Sequence, residues 1–209
     1  MRCTPTLAAV ALLLPLLAQA QDNILKAGVV RYDTHSRTNG VTGVGIPPGA
    51  DATTGDATTV LFTYERLITP QLGVELVLGV PPRIKATATG SVAFLGEVLS
   101  ARNVAPTLLF TYHFARPGDT VRPYAGLGIN YTRFTSVRTP YPWTVSLSDS
   151  VGPAAHVGVE VALSKPWAFW ASVSAVKVKS DLVAVGNTVL QSTIDFRPIN
   201  YATGVAYRF

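Results

Sequence analysis

Three histidines, His35, His113 and His156, are the side chains with which this sequence could most readily carry out acid–base or metal chemistry. None of them stands at a diagnostic spacing from a serine nucleophile or an acidic partner. Three scattered histidines also lack the clustering of metal ligands. The single cysteine, Cys3, precedes an apolar run that is expected to be removed. The sequence therefore predicts that the protein is not an enzyme and needs no metal or cofactor.

A balanced set of charged residues is the second group with chemical potential. Its members are Lys26, Glu65, Glu75, Arg122, Glu160 and Arg208. Charge is sparse overall, since Asp, Glu, Lys and Arg make up 14% of the 209 residues. Charged groups inside a protein are stable only when they are paired and hydrogen-bonded. Three positive and three negative side chains would form an ionic network if the fold brought them together, and His113 is a further candidate member.

These charges lie on segments with a two-residue alternation. The predicted strands are 24–33, 58–68, 72–81, 104–114, 121–134, 153–164, 167–179 and 195–209. In the last of them Tyr201, Val205, Tyr207 and Phe209 alternate with small residues and Arg208. Each strand therefore has one broad apolar face and one face of small or charged side chains.

The connections between these strands are unequal in length. Short turns are expected at 69–71, 115–120 and 164–166, and long connections at 34–57, 82–103, 135–152 and 180–194. Within the second long connection, 94–101 is compatible with either a short helix or a strand extension. Short turns at one end and long loops at the other are typical of bacterial outer-membrane barrels. The predicted fold is all-β: an eight-stranded antiparallel transmembrane β-barrel with short periplasmic turns and long extracellular loops.

The widths of the two strand faces indicate which one meets lipid. A soluble lipocalin would turn its broad apolar face inward, but here the small face suits the narrow bore of an eight-stranded barrel. Turned outward, the broad faces form an apolar band around the barrel. The strands are long enough for this band to cross a bilayer, which takes about 9–11 tilted residues per strand. Aromatic residues near the strand ends would form the interfacial girdles; they are Tyr64, Tyr112, Phe114, Tyr131, Trp167, Tyr207 and Phe209.

The same alternation predicts what fills the barrel. With both termini in the periplasm, the six charges fall in the periplasmic part of the lumen, and as a set they are expected to form an ionic network that closes the floor. For any single one of them, packing is the preferred interpretation. Higher up, Leu61, Val77 and Leu109 point inward, and Trp170 points inward at a lower level. An apolar lumen above a charged floor suits a small hydrophobic guest, although filling of the bore alone explains these residues equally well.

The N-terminus predicts export. Arg2, an apolar run over 7–17 and the small-residue site Ala18-Gln19-Ala20 form a signal peptide over residues 1–20, which leaves 21–209 as the barrel. The expected location is the outer membrane of a Gram-negative bacterium. The formal net charge is +5, but no basic run indicates nucleic-acid binding.

Several of these segments resemble the OmpW family, which includes the AlkL-like alkane-uptake proteins. The similar stretches are LFTYERLITPQLGVELVLGVPPRIKA (61–86), APTLLFTYHF (105–114), RPYAGLGINYTRF (122–134), AHVGVEVAL (155–163) and GVAYRF (204–209). The resemblance implies an eight-stranded barrel whose small hydrophobic solutes leave sideways into the membrane.

A lateral exit requires a break in the hydrogen bonding between strands. Prolines lack a donor, so the candidates to mark the break are Pro81, Pro82, Pro106, Pro123 and Pro153. The family often carries an inward aromatic on the seventh strand, and small residues replace it here near Ser174. The resemblance also implies that the barrel-assembly machinery reads a terminal signal formed by Tyr207 and Phe209. Periplasmic chaperones are further expected partners.

The main functional hypothesis is a monomeric, passive outer-membrane channel for small hydrophobic molecules, which contacts outer-membrane lipid. The alternative is a structural barrel that presents its loops for adhesion or envelope integrity and transports nothing.

Overall fold

The computed structural model describes residues 22–34, 36–186 and 189–209. The predicted signal peptide and His35 lie outside these residues. The strands are β1 (Asn23–Asp33), β2 (Ser36–Thr38), β3 (Thr42–Gly43), β4 (Ala50–Thr54), β5 (Ala57–Leu67), β6 (Leu72–Gly79), β7 (Arg83–Gly90), β8 (Glu97–Val104), β9 (Thr107–His113), β10 (Val121–Arg138), β11 (Thr144–Leu147), β12 (Ser150–Ala162), β13 (Trp167–Val176), β14 (Val178–Val185), β15 (Val189–Phe196) and β16 (Ile199–Arg208). No helix among the described residues is long and apolar enough to cross a membrane.

Within the described part of the chain, eight strands close into an antiparallel barrel. Their order is β1–β5–β6–β9–β10–β12–β13–β16, and β16 pairs back onto β1. The backbones of Asn23 and Phe209 exchange two hydrogen bonds of 3.0 Å, so this closing pair extends to the last residue. The predicted eight-stranded fold is confirmed, and the ends of each strand lie within four residues of their predicted positions.

The outer surface of the barrel is apolar, as the alternation predicted. Large exposed side chains project from all eight strands, among them Leu25, Phe62, Leu78, Phe110, Ile129, Val157, Phe169 and Val205. The seven aromatic residues predicted to form girdles are also exposed. Trp167 and Tyr207 contact each other there, with ring centroids 4.9 Å apart. This surface has the composition of a lipid-facing band.

The upper end of the barrel, opposite the short turns, contains most of the unpredicted structure. Strand β10 extends upward and pairs with β8, which continues the sheet through β7 to β4. A second sheet has the order β11–β14–β15–β2, with β3 paired to β15. The long connections are therefore largely β-structure and not irregular loops. Residues 94–101, left open between helix and strand, contain the end of a 3-10 turn (Ala93–Leu95) and the start of β8.

Candidate functional site

Lys26 lies at the centre of an ionic cluster inside the lower barrel. Its Nζ is 3.2 Å from a carboxylate oxygen of Glu65, 3.4 Å from one of Glu75 and 3.2 Å from one of Glu160. The four side chains come from β1, β5, β6 and β12, and all are at least 97% buried. Inward alternation on four strands brings them together, and mutual pairing offsets their desolvation.

Two arginines complete this cluster from below. Arg122 Nη1 is 3.4 Å and Arg208 Nη2 is 3.2 Å from the same carboxylate oxygen of Glu160. Arg122 and Glu160 are direct cross-strand partners in the β10–β12 ladder. All six charges predicted from the sequence therefore meet in one place. We call this set, Lys26, Glu65, Glu75, Arg122, Glu160 and Arg208, the ionic floor.

Two histidines and a tyrosine pack against the ionic floor. His113 Nε2 is 2.8 Å from Glu65 Oε1, and His156 Nε2 is 3.6 Å from Glu75 Oε2. The Tyr124 ring packs between the two imidazoles, with centroids 5.5 and 5.2 Å away. Lys26 Nζ also lies 4.4 Å from the centre of that ring, within the range of a cation–π interaction. Sequence reasoning overlooked Tyr124, although it shares the inward alternation of Arg122.

Inward glycines provide the space for these side chains. A Cβ at Gly73 would overlap the Glu65 carboxylate, and one at Gly158 would overlap the Tyr124 ring. Likewise, a Cβ at Gly126 would overlap the His156 imidazole. The small residues on the inner face are therefore needed because the bore is narrow and the floor side chains are large.

One subset of the floor has the donor types of a metal site. Glu65, His113 and Glu160 each offer a ligand atom, and these atoms lie within 4.8 Å of one another. The ammonium group of Lys26 already contacts both of these carboxylates. A divalent cation would have to compete with this built-in positive charge, so the arrangement favours ion pairing over metal binding.

A cavity of about 100 Å³ lies above the ionic floor; we call it the lumen cavity. The four residues predicted to line an apolar passage, Leu61, Val77, Leu109 and Trp170, all border it. The Trp170 indole donates a 3.2 Å hydrogen bond to the carbonyl of Val205, so its polar atom is satisfied by the wall. Near Ser174, the Asn200 amide donates a hydrogen bond to the Ser174 hydroxyl. The seventh barrel strand thus contributes small polar atoms at that level.

The ionic floor separates the lumen cavity from a lower cavity of about 470 Å³. Glu75, Tyr124 and His156 border the lumen cavity, whereas Arg122, Glu160 and Arg208 border the lower one. Among the described residues the two linings do not overlap. The cluster therefore occupies the cross-section of the barrel between them.

The barrel wall is interrupted beside the lumen cavity. The β6–β9 ladder ends at the pair Val77–Thr107, and pairing resumes where the Asn103 amide donates to the Pro82 carbonyl. We call the intervening residues, 78–81 and 104–106, the wall gap. Gly79 and Ala105 from this gap border the lumen cavity.

The prolines explain where the ladder stops. Pro81 and Pro106 lie in the wall gap and Pro82 at its edge, and none of them can donate a backbone hydrogen bond. The other two candidates, Pro123 and Pro153, do not mark a break. They pair with Val159 and Ile129 in a β10–β12 register that continues without a shift.

Asn130 of β10 binds the residues that form one edge of the wall gap. Its amide donates to the carbonyls of Ala105 and Pro106 and, at 2.7 Å, to the hydroxyl of Thr107. Thr132 in turn donates to the Asn130 side-chain oxygen at 2.6 Å. These bonds fasten residues 105–107 to β10, on the side away from β6.

The C-terminal aromatics lie on the outer surface. Tyr207 and Phe209 are each 39% exposed, and their rings stack with centroids 5.9 Å apart. They are therefore accessible at the lower rim, next to Trp167.

A closed eight-stranded barrel with an apolar outer band, aromatic rims and an ion-paired interior defines the class of small outer-membrane barrels. The model of the OmpW family matches residues 19–209. The chain belongs to the OmpW family, and it is an outer-membrane protein.

The relatives found are 25–30% identical to this chain over the aligned segments. The dibenzothiophene metabolism operon protein PahQ of Pseudomonas aeruginosa is 30% identical over 135 residues, which is 64% of this chain and 63% of the relative's length. Outer membrane protein AlkL of Ectopseudomonas oleovorans is 26% identical over 168 residues, 80% of this chain and 73% of that relative.

Solved structures show the same fold. OprG of Pseudomonas aeruginosa superposes with a TM-score of 0.85 at 24% identity, covering 91% of this chain and 96% of the other. AlkL in lipid bilayers gives a TM-score of 0.72 at 24% identity, covering 91% and 90%.

Proposed function

We propose that this protein is a passive channel through which small hydrophobic molecules enter from outside the cell and leave sideways into the outer membrane. The observation that carries the proposal is the position of the lumen cavity, above the ionic floor and beside the wall gap. A solute in this cavity faces apolar side chains, a charged barrier below and an unpaired stretch of wall at its side.

The ionic floor makes passage into the periplasm costly for such a solute. To pass, it would have to separate buried ion pairs, and leaving a buried charge without its partner costs about 3–5 kcal/mol. The wall gap requires no such rupture, because its residues are already unpaired between β6 and β9. The lateral route is therefore the easier one.

The name of one relative agrees with an apolar solute. PahQ is named for dibenzothiophene metabolism, and dibenzothiophene is an uncharged, apolar molecule. The match covers under two thirds of PahQ, so we propose the class of solute and not that particular compound.

Uptake measurements in cells test the proposal. Cells lacking the protein are compared with complemented cells for uptake of a panel of apolar compounds. Leu61→Asp and Val77→Asp should each reduce uptake. An apolar solute in the lumen cavity would displace the water around the new carboxylate without replacing its hydrogen bonds. Leu61→Met keeps the apolar volume and serves as the matched control. A heat-modifiable gel shift verifies that each variant is folded.

The same cells discriminate between the functional hypotheses. Normal uptake by folded Leu61→Asp and Val77→Asp proteins would contradict passage through the lumen. Unchanged uptake on deletion of the protein would favour the structural barrel that presents its upper end for adhesion or envelope integrity.

We further propose that Tyr207 and Phe209 are the signal read by the assembly machinery. Phe209→Ala should lower the yield of membrane-inserted protein, whereas Phe209→Tyr should not, because it keeps an exposed aromatic ring. Both variants keep the backbone bonds between residues 23 and 209. Equal yields, measured by immunoblotting of outer-membrane fractions, would show that the ring is not the signal.

A further inference from the structure

A second apolar cavity lies above the lumen cavity, between the two upper sheets. Its volume is about 330 Å³, against about 100 Å³ for the lumen cavity. Its walls are mainly aliphatic and include Ala88, Leu99 and Ile194, with Trp143 at one side. We call it the upper cavity. Pockets that hold organic ligands measure roughly 300–1,000 Å³, so the upper cavity has the size of a binding site and the lumen cavity that of a narrow passage.

The two cavities share continuous strand faces. On β7, Ile84 borders the lumen cavity and Ala88, four residues later, borders the upper cavity. On β15, Phe196 borders the lumen cavity and Ile194 the upper one. Residues separated by an even number lie on the same face of a strand. One apolar inner surface therefore extends from the upper cavity down to the ionic floor.

An aromatic pair marks the boundary between the two cavities. Phe134 of β10 and Phe196 of β15 have ring centroids 6.1 Å apart. They belong to an apolar cluster with Val178 and Ile194. Since Phe134 and Phe196 border the lumen cavity and Ile194 the upper one, this cluster forms the junction that a solute would cross.

Few polar groups are available in the upper cavity. Asp51 is the acidic residue in its lining, and its Oδ1 already accepts hydrogen bonds from the Thr38 hydroxyl and the Ala52 amide. A ligand with several polar groups would lose its hydrogen bonds to water there without replacement. The cavity is therefore suited to an uncharged hydrocarbon or aromatic molecule.

We propose that the upper cavity is the first binding site on the route of an apolar solute, and that the pair Phe134–Phe196 is the constriction between this site and the lumen. This inference rests on the proposed function. It places recognition of the solute outside the membrane-spanning barrel, in the structure built from the long connections.

Tryptophan fluorescence can detect binding at this site directly. Trp167→Phe and Trp170→Phe leave Trp143 as the fluorescent tryptophan of the described residues, and it borders the upper cavity. A bromoalkane quenches indole fluorescence on contact and serves as the probe. In the reconstituted protein, quenching of Trp143 should saturate with bromoalkane concentration, because binding at a defined site saturates and random collision does not.

Filling the cavity provides the decisive comparison. Ala88→Phe, and independently Ala184→Leu on the opposite sheet, should weaken the apparent affinity at least about tenfold, equivalent to about 1.4 kcal/mol. Both alanines are 4% exposed. Thr87→Phe is the matched control, because it adds the same ring to the exposed face of the same strand. The gel shift excludes variants that fail to fold.

Uptake is then measured in cells with the natural tryptophans restored. Saturable quenching that both filled variants lose, together with slower uptake, would support the proposal. Linear quenching in a protein that supports uptake, or filled variants that transport at the unmodified rate, would overturn the first-site assignment alone. Saturable quenching without any uptake would overturn the proposed function and leave the binding site supported.

Discussion

The lower part of the barrel interior is filled by charged side chains, whereas the upper part of the molecule encloses open apolar space. In the lower part, the six charges of the ionic floor interlock with His113, His156 and Tyr124. In the upper part, aliphatic walls surround open space, about 100 Å³ in the lumen cavity and 330 Å³ in the upper cavity. The ionic floor and the lumen cavity share the barrel strands, so the difference between them arises from side chains and not from the backbone. The upper cavity lies higher, between strands of the long connections.

The contrast has an energetic reason. Buried ions must be balanced by opposite charges in contact with them, because a missing partner leaves a desolvated charge. They therefore favour one closed arrangement of the strands. Apolar walls lose only dispersion contacts when they leave a space unfilled, so a cavity is tolerable there. In the proposed function, the ionic floor closes the barrel and the apolar part above it admits the solute.

The largest expected effect comes from removing the central cation. Lys26→Leu leaves three carboxylates facing one another and should lower the free energy of unfolding by about 3–5 kcal/mol. Denaturant unfolding of the protein folded into lipid vesicles measures this change. The exposed pair Lys85–Glu97 provides the control, since Lys85→Leu should cause little change. Similar losses for both variants would contradict the central role of Lys26.

A smaller effect is expected from adding one methyl group to the floor. Gly158→Ala places a Cβ against the Tyr124 ring and should cost about 1–3 kcal/mol through overpacking. Gly55→Ala enters open space and should be close to neutral. The same unfolding assay applies, and a neutral Gly158→Ala would show that the floor packs more loosely than its contacts indicate.

The smallest effect on stability should come from the wall gap. Asn130→Leu removes the amide that holds residues 105–107 and should cost about 1–2 kcal/mol, because it leaves the buried Thr132 hydroxyl without its acceptor. Its main consequence should be local. The Tyr131 amide, which donates to the Pro106 carbonyl at 3.0 Å, should exchange with deuterium faster. Ile129→Leu, on the lipid face, is the control. Unchanged exchange at Tyr131 would show that Asn130 does not hold the gap.

Much of this organisation follows from the sequence. The two-residue alternation predicted the eight barrel strands and their outward faces, because a side chain's face depends only on its position along its own strand. The same rule assigned Lys26, Glu65 and Arg122 to the interior. It also assigned Leu61, Val77 and Leu109 to the wall of one passage, although whether a solute uses that passage stays a prediction.

The sequence could not predict contacts between residues that lie far apart in the chain. Lys26 meets Glu160, 134 positions away in the chain, and Thr38 pairs with Ile194 across 156 positions. No local pattern encodes such partners. The stagger of strands around the barrel fixes the first pair, and the second depends on how the long connections pair with one another above it. For that reason the upper sheets were mistaken for loops, and Pro123 and Pro153 could not be separated from the prolines at the wall gap.

The sequence by itself determined which side chains face inward, because that is a property of each strand alone. Only the tertiary structure decided which of them meet and where space remains between them, because that depends on all eight strands together.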